Sequence, residues 1–474
     1  MSSARSSETR VPALELPFEL ISDIFTLCLP FRRRVRPHRN RAPLNLSSVC
    51  RQWRAVALGT PQLWASVHLR FTGRYSYEGV ANLFRSSDEP VEEDQSASLV
   101  DLWFSRAADR PLSISVICNR KQSLPSNLMD VLSVYHSRWG RVELAIPMCD
   151  FHVFSRISGP FPFLKTLAIH VTDNHAPLSD RDVPAVCQSP NLQVLQLSDF
   201  LNAPMSLDVA SALPHSLTAL SVSRDGISME SYLRDIFSLF PDLRDLDLFS
   251  HDGLVAHEES RIIAPLRSLL VEEDIALDLF IIPTLEHLRA WISSPTPLVD
   301  FLARSQCRLT TLTIGIDVHI SNDTLSTCLS AVPELRILQL DVRTTQISNA
   351  MMRCQVLLEN ADLVPQLCVL YVGDWAAKPD YPGWVELLRG RPNLRHAHLH
   401  VWPAHPHVGL HLTPPSHDVV EQLEALRAER MMNISIITPT ISWPWNAKDE
   451  DLVGDLDINI FSPGQNRPYF FSPF

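Results

Sequence analysis

Seven of the 18 histidines in this 474-residue chain fall between positions 396 and 417. A zinc-type ion needs three or four such nitrogens converging on one point. The first three, in NLRHAHLHVW, alternate with Ala397, Leu399 and Val401. That spacing sets His396, His398 and His400 side by side along one face of a strand instead of around a centre. His405, His407, His411 and His417 then follow in a proline-rich loop. A polar strand face and a solvated loop account for all seven. No metal and no cofactor is expected.

Other catalytic signatures fail on spacing. The nearest two glycines, Gly73 and Gly79, stand six residues apart, too far for GxGxxG, GxSxG or the phosphate-cradling P-loop. HEESR at 257–261 lacks the second histidine of HExxH. None of the 53 Asp and Glu is set off as an acid–base couple, and carboxylates in such number form a solvated face. The nine cysteines are odd in number and scattered, with no CxxC pair. Reduced, mostly buried thiols behave this way, not a disulfide frame. A non-enzymatic protein is expected.

Charge narrows the partners. Ten Arg against four acids give residues 1–60 a charge of +6, which leaves −18 of the total −12 for the rest. Because phosphate contacts dominate nucleic-acid affinity, an acidic body argues against that class. The insert carrying Arg32, Arg33, Arg34, Arg36, Arg39 and Arg41 reads either as a loop held in solution by charge or as a nuclear-import patch. The opening MSSARSSETRVP has no apolar signal core, and no run approaches the length of a membrane span. A soluble, intracellular protein, cytoplasmic or nuclear, with no membrane partner is expected.

The elements that would position a surface form a repeat. A proline or other breaker, L-x-x-L-x-L and a polar turn recur ten times after residue 160, with leading leucines 164, 192, 217, 243, 266, 285, 309, 335, 367 and 394. Steps of 19 to 32 residues, averaging about 26, lie within the leucine-rich-repeat range. PLSISVI (111–117) and RVELAIP (141–147) fit more loosely, and helical patterns such as SMESYLRDIFSLF (228–240) and PGWVELLRG (382–390) fall between the strands. Strand, turn and helix at this period predict an α/β fold, an irregular αβ horseshoe with parallel strands on its concave side. It spans 65–430, followed by a cap and a poorly ordered tail over 431–474. Side chains alternating with the core leucines face the groove: Asp245, Asp247, Arg289, Trp291, Gln339, Asp341, Tyr371, Trp375, His398, His400 and Trp402. Trp, Tyr and Arg are enriched at binding hot spots, so a target protein is expected there.

The chain from Leu14 to Trp64 is a separate unit. Pro17 starts a helix without wasting an N–H. Glu19, Ser22, Asp23 and Thr26 form a narrow polar stripe, and Leu20, Ile21, Ile24, Phe25, Leu27 and Cys28 fill the rest of its circumference. A second helix presents Leu46, Val49, Cys50 and Trp53 at the same spacing. Two short helices cannot bury that much apolar surface on each other, so the leftover face calls for a partner.

"LPFELISDIF", an insert, and "LSSVCRQWRAVALGTPQLW" resemble the F-box, in the F-box-like form frequent in basidiomycete fungi. Leu16, Pro17, Glu19, Leu20, Ile24, Phe25, Val49, Cys50, Trp53, Pro61, Leu63 and Trp64 carry the match, over 12–64, and the insert from Pro30 to Pro43 departs from it. The resemblance implies docking on an SKP-type adaptor, and through it a cullin–RING ligase, by Leu16, Pro17, Leu20, Ile21, Ile24, Phe25, Val49, Cys50 and Trp53. With the repeat, it implies a substrate receptor of an SCF-type ubiquitin ligase. A protein-interaction scaffold without ubiquitin transfer is the alternative.

Overall fold

The computed structural model describes residues 16–30, 35–71, 93–118, 124–147, 157, 159–171, 185–198, 207–223, 229–249, 261–317, 320–343, 350–360, 362–374, 379–401, 415–437 and 442–443. Fourteen parallel strands form one open sheet that follows chain order. They are β1 (Ser66–Phe71), β2 (Leu112–Cys118), β3 (Trp139–Ile146), β4 (Thr166–Val171), β5 (Val194–Ser198), β6 (Ala219–Ser223) and β7 (Asp245–Phe249), then β9 (Ser268–Val271) and β11 (His287–Ile292). The sheet continues through β12 (Thr311–Asp317), β13 (Ile337–Arg343), β14 (Val369–Asp374), β15 (His396–Val401) and β16 (Asn433–Ile437). A short antiparallel strand, β17 (Ser442–Trp443), pairs with β16 at one end. Two short strands, β8 (Ile262–Ile263) and β10 (Phe280–Ile281), pair separately.

The repeat phrase explains this arrangement. Every leading leucine is 0–2% exposed. The next leucine begins a row that crosses the sheet in register, from Val67 through Leu167, Leu246 and Leu338 to Ile434. Each of these five is at most 1% exposed. Helices return the chain between strands and pack in series, Pro295–Ser305 on Asn322–Ser330, then Ala350–Glu359, Tyr381–Gly390 and His417–Arg430. Their inner faces bring large side chains such as Phe301 and Trp384 onto the leucine rows. No repeat could bury its apolar face alone, so stacking makes one continuous core. His417, expected in a loop, instead opens a helix behind Ser416.

The N-terminal helices α1 (Phe18–Leu27), α2 (Leu44–Val49) and α3 (Arg51–Leu58) are built into this core. Trp64 lies edge-on to Trp103 at 4.8 Å, and its Nε1 donates to Ala57 O at 2.8 Å. Trp103 Nε1 in turn donates to Ser66 O on β1. Val35, inside the basic insert, is buried, and its carbonyl accepts from His68 N on β1 at 2.8 Å. The insert thereby covers backbone on the outermost strand, where an open edge invites foreign pairing. The single second helix expected from spacing is two. Cys50 is extended (φ −153°, ψ 173°) and its Sγ accepts from Trp53 N, acting as the cap between them. Among the described residues no helix is long and apolar enough to cross a membrane.

Candidate functional site

α1 turns Ile21 and Phe25 inward, at 2% and 1% exposed, and Phe25 meets Trp53 edge-on at 5.0 Å. Ser22 and Thr26 flank this stripe, half-buried. Ser22 Oγ lies 3.0 Å from Thr60 Oγ1, while Thr26 donates to Ser22 O. That inner stripe takes up the only face α1 can offer the core. Leu20 (50% exposed), Ile24 (45%) and Leu27 (84%), spaced i, i+4, i+7, therefore stand outside. Leu16, Pro17 and Phe18 before them are exposed too, as are Val49 on α2 and Leu58 on α3. The docking set read from the sequence thus divides. Leu16, Pro17, Leu20, Ile24 and Val49 are on the surface, Cys50 and Trp53 are half-buried, and Ile21 and Phe25 belong to the internal core.

On the sheet, the positions between the two core residues of each strand make a second row, on the opposite face from the leucines. It includes His68, Ser115, Glu143, Gln196, Ser221, Asp247, Arg289, Thr313, Gln339, Tyr371, His398 and Ser435. Much of this row is buried: Gln196 is 5% exposed, Asp247 8%, and His398 and Ser435 0%. Arg289, Trp291, Gln339 and Tyr371 are half-buried. The Trp291 ring lies flat over Gly315, where an added Cβ would sit 2.0 Å from a ring carbon. Tyr371 stacks on His398 with centroids 4.6 Å apart. For Asp341 the backbone alone is described; Trp375 and Trp402 lie outside the described residues.

Two buried His–Ser pairs mark the ends of the row. His68 Nδ1 lies 2.9 Å from Ser115 Oγ, and His398 Nδ1 lies 2.6 Å from Ser435 Oγ, each pair joining adjacent strands. Burial, helped by His400 and His396, pushes His398 down to about 3. It is neutral at physiological pH, and its Nε2 is buried without a hydrogen-bond partner. Burial likewise pushes His287 down to about 4.

The middle of the row is acidic. Asp247 Oδ2 accepts from Ser221 Oγ at 3.0 Å and from Gln196 Nε2 at 3.4 Å, across two strands. Gln196 Oε1 is buried without a partner. Two residues before Asp247, the Asp245 carboxyl is pushed up to about 6, first by burial and then by Asp247, with Arg267 opposing. Gln196 and Ser221 were missed by sequence reasoning that searched for charge and aromatics. Their signal was the position itself, the x of L-x-L, which they share with Asp247.

The row His396, His398 and His400 does not gather around a point. Among the described residues, the group with ligand atoms close enough for an ion is His417, Asp418 and Glu421, all exposed. His417 Nδ1 lies 3.3 Å from Glu421 Oε1, an ordinary i,i+4 surface pair. His405, His407 and His411, and Arg32, Arg33 and Arg34 of the insert, lie outside the described residues. Burial pushes the Cys187 thiol up to about 12 and those of Cys307 and Cys328 to about 11, which leaves them unreactive.

No family model and no curated protein matches the chain. Among solved structures it is similar to a crystal structure of a Bacteroides fragilis protein, at 12% identity. The match covers 66% of this chain and 75% of that one, with a TM-score of 0.26. A likeness that low carries no argument.

Proposed function

We propose that this chain is the substrate-recruiting subunit of an SCF-type ubiquitin ligase. Its N-terminal F-box-like helices dock on an SKP-type adaptor, and its sheet, taken as a leucine-rich-repeat horseshoe, holds a target protein. The observation that carries the reading is the outer stripe Leu20, Ile24 and Leu27, with Leu16 and Phe18 exposed just before it in the chain and Val49 exposed on α2. A helix with a buried inner stripe needs no second apolar one for stability, and an exposed apolar patch of this kind marks an interaction surface. Burying each such side chain on a partner is worth about 1.5–3 kcal/mol. Ubiquitin transfer would be carried out by the other subunits. This chain would contribute proximity, raising the effective concentration of a target lysine.

The test uses the full chain, because Trp64 and Trp103 tie the helices to the sheet. Purified protein is expected to capture an SKP-type adaptor, and Leu20→Asp with Ile24→Asp to abolish capture without lowering the melting temperature. Both side chains are about half exposed, so charge there spoils an interface and not the core. Folded wild-type chain that captures no adaptor would remove the ligase reading and leave a scaffold.

A further inference from the structure

We infer that Gln196, Asp245 and Asp247 form a subsite for a lysine or arginine side chain of the bound target. The inference deepens the receptor reading and rests on it for the source of that side chain. The two groups here without a partner, Gln196 Oε1 and the Asp245 carboxylate, are both acceptors. The Asp247 carboxylate dictates the orientation of the Gln196 amide by taking its Nε2. Oε1, on the same planar amide, therefore stands beside the carboxylate, buried and without a donor. Gln196 is 5% exposed, and a buried amide oxygen left unpaired is unfavourable. Among the described residues, the Asp245 carboxylate makes no hydrogen bond or ion pair, although its backbone N–H donates to Thr218 O. Burial first and the neighbouring Asp247 charge second raise its pKa, with Arg267 opposing.

What completes such a set must carry positive charge and several N–H groups. Ammonium has three donors and guanidinium five. A bare divalent ion fits poorly, since it gathers oxygens at about 2.0–2.6 Å. Asp245 and Asp247 occupy alternate positions of one strand, which sets their Cα atoms about 7 Å apart. A forked or three-pronged cation can bridge that gap while it also donates to the amide oxygen. The charge of −18 on residues 61–474 would speed its approach.

The experiment measures binding of fluorescein-labelled hexapeptides to the full chain. Each peptide carries one arginine, lysine or citrulline among glycine and serine; citrulline keeps the shape of arginine without its charge. The arginine or lysine peptide should bind about tenfold or more tightly than the citrulline one. Asp245→Asn and Gln196→Met should each erase that preference, while the surface change Asp418→Asn leaves it. Melting curves check folding, and Asp245→Asn, which removes a carboxylate with no hydrogen bond, keeps the test valid if Asp247 proves structurally necessary. Equal binding of the three peptides, or a preference that survives both variants, overturns the subsite. So does a melting shift with calcium chloride that Asp245→Asn abolishes while no peptide binds, which would make this an inorganic-cation site. Adaptor capture is measured on the same samples. Its loss with peptide preference intact sinks the ligase reading alone, and the reverse sinks the subsite alone.

Discussion

Leu20, Ile24 and Leu27 stand outside on α1, whereas Gln196, Ser221, Asp247, His398 and Ser435 lie inside on the sheet. The usual sorting of apolar and polar side chains is inverted in both places, but the compensation differs. Several buried polar groups in the row are bonded across adjacent strands, as in His68–Ser115, Ser221–Asp247 and His398–Ser435, while Thr313 Oγ1 and His398 Nε2 have no hydrogen-bond partner. Strand spacing of about 4.8 Å puts such side chains within reach of one another. Among the described residues the stripe on α1 has no internal compensation of this kind, and the proposed adaptor would cover it. The centre of the row, at Gln196 with the half-buried Asp245 two positions before Asp247, is intermediate, because its polar groups are incompletely paired. Groups unfinished within the fold are where binding energy remains.

The sharpest way to break this comparison is to trade leucine for alanine on the other side of the same strands. Leu246→Ala or Leu338→Ala, at 1% and 0% exposed, should cost about 2–5 kcal/mol in urea unfolding. A cost near zero would refute the register that places these leucines inside. Gly315→Ala comes next. Its Cβ would collide with the Trp291 ring, so a loss of about 1–3 kcal/mol is expected, together with a shift in tryptophan emission. An unchanged spectrum would mean that the ring is not held over the glycine.

Ser435→Ala tests whether the row's ends are structural. Removing the hydroxyl leaves His398, 0% exposed, with both ring nitrogens unpaired, at a cost of about 1–3 kcal/mol. Ser115→Ala should behave alike at the other end through His68. If both serine variants melt like wild type, the cross-strand account of the row fails.

The smallest effect has the opposite sign. Asp245, raised from 3.8 to about 6, binds its proton more tightly folded than unfolded. Its favourable contribution is complete below about pH 4 and is lost as the pH rises through about 6. At neutral pH the wild type carries the full penalty of the buried charge. Asp245→Asn should therefore stabilise by about 1–2 kcal/mol at pH 7, after discounting for partial exposure. The two stabilities should converge near pH 4. His287 and His398, pushed down by burial, weaken the fold on acidification in both proteins, so their effect cancels from the difference. A variant less stable than wild type at neutral pH would show that the carboxylate is paired after all.

The repeat was legible because its evidence is redundant. Ten copies of an L-x-x-L-x-L phrase, most with Ile, Val or Ala at the second or third position, place apolar residues on the same face, and every leading leucine is buried. Strand alternation also separated Ala397 and Leu399 from His396, His398 and His400 correctly. The first helix was legible only in part. Its apolar circumference could be counted from the sequence, but Ile21 and Leu20 are equally apolar, and nothing local says which one faces the core. The break at Cys50 was hidden because Leu46, Val49 and Trp53 keep helical spacing across it, while a cysteine sulfur acts as the cap.

Apart from β1 (Ser66–Phe71), which was not among the copies read from it, local sequence determined most of the strands and which side of each carries leucine. These follow from steric and hydrophobic periodicity within a few residues. Tertiary structure alone decided that Ile21 and Phe25 turn inward, that Trp64 ties the first helices to the sheet, and that Gln196 reaches Asp247 over 51 positions. The reason is physical: burial and hydrogen bonding depend on which neighbour arrives opposite a side chain, and in a stacked repeat that neighbour comes from the next turn of the chain.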